Sequence, residues 1–89
     1  MKIYIWHGGD LDGQIASKAE VDELGKNNPC FEVWTLQAAS EVAYDAGPHV
    51  TPRAMKIAER ILERFAHRGS ERAERALPHL KRALQDEIQ

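Results

Sequence analysis

Lys2–Leu36 reads KIYIWHGGDLDGQIASKAEVDELGKNNPCFEVWTL, and the reading given to its middle third decides the fold. Ile3, Tyr4, Ile5 and Trp6 are β-branched or aromatic with no polar interruption, which predicts a strand over Lys2–His7. A run without alternation predicts burial on both faces. Gly8-Gly9-Asp10-Leu11-Asp12-Gly13 breaks the extended chain, because Gly and Asp tolerate backbone angles that other residues resist. Asp12 is placed to cap a helix over Gln14–Leu24, and Gly25 falls where a left-handed end residue belongs. Lys26-Asn27-Asn28-Pro29 is a turn by composition. Cys30–Leu36 alternates as a second strand, with Phe31, Val33 and Thr35 on one side and Cys30, Glu32, Trp34 and Leu36 on the other. Strand, helix and strand in this order favour a βαβ unit with parallel pairing. The rival is an antiparallel pair with an irregular connection, and the helix decides between them.

Downstream, Ala38–Ala46 reads as a short helix around Val42, Ala43 and Tyr44, ended by Gly47-Pro48-His49. Thr51 caps a longer helix, Pro52 takes the first helical position where its missing N–H is harmless, and the helix runs to about His67. Gly69 ends it and Ser70 caps the next. Ala73, Leu77, Leu80, Leu84 and Ile88 then form one helical face, with Pro78 predicting a kink or a fresh helix start. So short a connection forces an antiparallel helical hairpin. The expected fold is α+β: a small two-stranded sheet followed by a C-terminal hairpin kinked near Pro78.

Eighty-nine residues make one small domain, 1–89. A chain this short buries roughly 60–65% of its unfolded surface, which argues against a large enzyme with a self-enclosed cavity. With a net charge of −2, neither polyelectrolyte disorder nor an acidic nucleic-acid mimic is favoured. No run of about 18 apolar residues occurs, so neither a membrane span nor a secretion signal is expected. The single Cys30 has no partner for an internal disulfide and suits a reducing cytoplasm. So few large apolar side chains leave a sheet edge or helix face for self-association, and a homodimer would cover it.

The net charge hides a segregation. Residues 1–50 set Lys2, Lys18 and Lys26 against eight carboxylates, whereas residues 53–82 set nine bases against four. Arg53, Lys56, Arg60, Arg64, His67 and Arg68 fall within about 120° of arc on their helix. Like charges four residues apart cost a helix roughly 0.2–0.5 kcal/mol per pair, so a helix shaped for its own stability would alternate signs. Arg72, Arg75, His79 and Arg82 repeat the arrangement on the next helix. Such a face suits an acidic protein surface, which arginine forks recognise, or phosphates, whose counterions arginines displace. It also suits attraction to the acidic half of the same chain. The two strands add Trp6 and Trp34, residue types that anchor protein partners when accessible.

A second feature is His7-Gly8-Gly9-Asp10-Leu11-Asp12-Gly13 after a strand. It resembles the first motif of the DHH-type phosphoesterases, in which a strand leads into His-x-Asp-x-Asp-Gly, here with one extra residue between His7 and Asp10. By that resemblance His7, Asp10 and Asp12 would be metal ligands. The likeness covers about a dozen residues, no Asp-His-His occurs, and the family's domain is much longer than this chain. A tight loop with a helix cap accounts for the same letters. Cys30 has no base nearby in sequence, no Walker loop or zinc-type Cys pair occurs, and the histidines are scattered. The reading that follows is a non-catalytic protein-binding module without cofactor, an inhibitor, adaptor or regulator of the size and composition carried by phages and mobile elements. Its partner surface comprises Arg53, Lys56, Arg60, Arg64, Arg68, Arg72, Arg75, Arg82, Trp6 and Trp34, and its partner is an acidic protein. The alternatives are a nucleic-acid-binding domain using the Arg64–Arg82 region and a metal-dependent phosphoesterase-like site at His7, Asp10 and Asp12.

Overall fold

A computed structural model describes residues 1–46 and 49–88, with side chains described as far as Asp86. The expected helix stop at Gly47-Pro48 and the side chain of Ile88 lie outside these. The elements are β1 (Ile3–Trp6), α1 (Lys18–Leu24), β2 (Phe31–Trp34), α2 (Leu36–Asp45), α3 (Pro52–His67) and α4 (Glu71–Ile88). The class is α+β, with one two-stranded sheet and four helices among the described residues.

The strands pair antiparallel, with Ile3 opposite Trp34 and Trp6 opposite Phe31. The parallel βαβ expectation is therefore corrected, and the cause lies in residues 13–16. After the glycine loop the chain turns back along the free edge of β1: Trp6 N–H donates to Gln14, Gly13 N–H to Trp6 and Ala16 N–H to Tyr4, all at 2.8–2.9 Å. Ile5 and Ile15 form a β-bridge. Gln14–Ala16 thus lie along the edge of β1, joined to it by a single bridge rather than forming helix, and α1 begins at Lys18. Its cap is Ser17, whose hydroxyl accepts from Glu20 N–H while the Glu20 carboxylate accepts from Ser17 N–H. Segment 13–16 and β2 run in the same direction on opposite sides of β1, and α1 carries the chain between them.

Both faces of β1 are covered, as its unbroken apolar run predicts. Ile3 and Ile5 point into the main core, built with Met55, Ile61 and Leu62 of α3, Leu80 of α4 and the alanines of α2 and α4. Tyr4 and Trp6 point the other way, onto Phe31 and onto Val21 of α1. The helices α2, α3 and α4 pack against one another in pairs. Ala39, Ala58, Ala73 and Ala76, all fully buried, leave room for close approach.

The C-terminal hairpin follows its local signals. Thr51 accepts from Ala54 N–H, Pro52 opens α3, and Gly69 takes φ +88° at the turn, a conformation that suits glycine. Ser70 accepts from Ala73 N–H at the start of α4. α4 continues through Pro78, so no fresh helix begins there. Pro78 is exposed, so water can satisfy the carbonyl it leaves unbonded, while Leu77 and Leu80 keep their side of the helix packed. Among the described residues, no helix is long and apolar enough to cross a membrane.

Candidate functional site

α3 organises the charged surface because its basic stripe borders its buried stripe. Ile57 and Ile61 are almost wholly buried, and Arg53, Arg60, Arg64 and Arg68 flank them towards the N-terminal half. The members of that stripe have different surroundings.

Arg53, at the first turn, is held by the chain's own carboxylates. Its Nε and Nη2 donate to the two oxygens of Asp12 at 3.1 and 3.0 Å, and its Nη1 donates to Glu32 at 2.9 Å. Nη2 also approaches His7 Nδ1 at 3.4 Å. Asp12 accepts a further bond from Gly8 N–H at 2.7 Å, which fixes the glycine loop. The Arg53 bonds first, and then that N–H, hold the Asp12 carboxyl at about 2, well below its usual range; the Asp12 and then the Glu32 carboxylates raise the Arg53 guanidinium. Arg60 is next, donating from Nη1 to the carbonyl oxygen of Gly13. Gly13 has φ +84°, and a Cβ there would lie 3.2 Å from that same Nη1, so a side chain would be strained and crowded.

The other end of α3 is different. Arg60, Arg64, His67 and Arg68 line an open groove of about 710 Å³ with Gln14, Ile15 and Glu63. A narrower cleft of about 320 Å³ adjoins it and shares Ile15, Arg64 and Arg68. Its floor is Ile3, Tyr4, Ile15, Ala16, Val21 and Phe65; around it stand the exposed Met1 and the cations Lys2, Lys18, Lys26, Arg64 and Arg68, with Asp22 the one carboxylate. All five cations are exposed, and none joins an ion pair among the described residues. The lysines come from the acidic half, and sequence spacing gives no sign that they belong with Arg64. Only the turn-back of residues 13–16 and the seating of α1 bring them there.

The remaining sequence candidates lie elsewhere. Lys56 and Arg72 are exposed and outside any ion pair among the described residues. Arg75 makes a long contact to Glu71 at 3.9 Å, and Lys81 bridges to Glu63 at 3.4 Å. Arg82 lines a separate groove with Ala66, Leu77 and Pro78. Trp6 and Trp34 are both half-buried on opposite faces of the sheet. Trp6 packs against Phe31 with ring centroids 4.8 Å apart, and Trp34 lies against the main core beside Val33, Glu41 and Asp45. Neither borders the basic cleft, whose aromatic members are Tyr4 and Phe65.

Of the three residues read as metal ligands, His7 and Asp12 meet at the Arg53 guanidinium, while Asp10 contributes no hydrogen bond to that group. No cluster of three or more His, Cys, Asp or Glu among the described residues is placed to hold a metal ion. The positive charge at this point comes from Arg53. No protein-family model, curated protein or solved structure matches the chain.

Proposed function

We propose that the protein is a small non-catalytic binding module, an inhibitor, adaptor or regulator in the cytoplasm, that docks on an acidic protein surface through the C-terminal half of α3. The observation that carries this reading is the fate of the stripe. The acidic half of the chain takes up Arg53, yet leaves Arg64 and Arg68 exposed beside a groove and gathers three of its own lysines next to them. Like charges at i,i+4, as in Arg60, Arg64 and Arg68, cost the isolated helix stability, and an acidic partner relieves that cost on binding. Arginine forks suit carboxylates in this role because two donors meet two acceptors in one plane.

The test is capture from lysate with the wild-type chain and with Arg64→Glu/Arg68→Glu as parallel baits. A partner protein enriched by wild type, reduced at least tenfold with the variant and unaffected by nuclease supports the reading. Capture that disappears with nuclease turns it to nucleic acid, and equal capture by both baits overturns it. Both substitutions are at exposed positions, so the variant's melting temperature should stay close to wild type.

A further inference from the structure

The geometry points to a specific role for the cleft between α1, β1 and the last turn of α3: it takes one bulky apolar side chain of an acidic partner segment. This rests on the basic-face reading and names what the face recognises. The cleft differs in kind from the open groove beside it. Its floor is almost entirely apolar, drawing Ile3 and Phe65 from the main core and Tyr4, Ala16 and Val21 from the cluster on the other face of the sheet, and its volume of about 320 Å³ is at the small end of ligand-binding clefts. Five cations stand around that floor against the single Asp22, on a chain whose net charge is −2. A floor of this kind rewards an apolar group that leaves water, and a rim of this kind rewards carboxylates on either side of it.

The rim comes from three parts of the chain: Lys2 before β1, Lys18 and Lys26 around α1, and Arg64 on α3 with Arg68 capping its end. Cations drawn from three parts of the chain to one opening fit a segment that passes over it with carboxylates before and after its anchor. Lysine stems can also lie along the apolar walls while their ammonium groups stay in water, which narrows the mouth around an inserted side chain. One seated apolar residue ringed by polar contacts that exclude water is the usual form of an interface hot spot.

Three fluorescein-labelled, end-blocked nonapeptides test this against the intact chain at low salt: glutamates with a central leucine, glutamates with a central serine, and glutamines with a central leucine. The acidic leucine peptide should bind at least about tenfold tighter than the acidic serine peptide, the lower end of what burial of one leucine supplies. It should shift the amide signals of Ala16, Val21 and Phe65, and Lys18→Glu/Lys26→Glu should weaken it at least about tenfold with those free-protein signals otherwise retained. Equal binding of the two acidic peptides overturns the anchor cleft and leaves the basic face standing. So does a leucine preference whose shifts fall around Val33 and Trp34. Equal binding of the glutamine peptide overturns the rim's part. No binding of either acidic peptide removes the basic face and the cleft together.

Discussion

Arg53 and Arg64 stand about three turns apart on the same stripe of one helix, yet their surroundings are opposite. Arg53 is forked between Asp12 and Glu32, partners distant in sequence, and ties the glycine loop and β2 to the start of α3. Arg64 has no such partner among the described residues and borders an apolar cleft. A stripe read on a helical wheel is therefore two things in the folded chain, a clamp at one end and an open face at the other. Charge pattern locates cations; only the fold decides which of them are already used.

The largest effect comes from breaking what the two ends share. Ile61 is fully buried between them, and Ile61→Ala should cost about 2–5 kcal/mol in urea-induced unfolding, through lost burial and the cavity left behind. A cost near that of an exposed substitution would mean that α3 is not the rigid strut on which both ends depend.

The comparison itself is sharpened by removing each arginine singly. Arg53→Ala should cost about 1 kcal/mol, the upper end for partly exposed pairs, because its fork engages two carboxylates and leaves both without a counter-charge. Arg64→Ala should stay within about 0.5 kcal/mol, as for other exposed positions. Added salt should narrow the difference by screening the clamp. Equal costs at low salt would show that the clamp holds nothing.

What could be read in the sequence divides along the same line of local against distant causes. The α3–α4 hairpin was legible because Thr51, Pro52, Gly69 and Ser70 act on their immediate neighbours. α1 starts later than Asp12 suggests, although the true signal is present: Ser17 and Glu20 have capping-box spacing, with Asp12 a rival cap further upstream. Asp12 is instead occupied by Gly8 N–H and by Arg53, a partner 41 residues away that no local rule supplies. That one displacement moves Gln14–Ala16 from helix to a bridged segment on the edge of β1 and turns the expected parallel pair antiparallel. For the candidate site, the i,i+4 spacing of Arg60, Arg64 and Arg68 was visible on the page of letters. Lys2, Lys18 and Lys26 were not, since chain reversal alone brings them to the same rim.

The smallest effect concerns acid, and its sign follows from Asp12. Its carboxyl is held at about 2, below the ordinary value near 3.8, by the Arg53 bonds first and the Gly8 N–H second. A carboxyl whose pKa is lower folded than unfolded contributes stability that is fully present above the unfolded value. That contribution is lost as pH falls from about 4 through about 2. Arg53 adds no pH dependence there, because its guanidinium stays charged throughout. Denaturant titrations of wild type and Asp12→Asn should therefore run apart at neutral pH, with wild type the more stable, and converge as pH drops through that window. The site is open to solvent, so the separation should also shrink in high salt. Parallel curves across the window would mean that Asp12 gains nothing from Arg53, and the clamped end of α3 would then be no different from the open one.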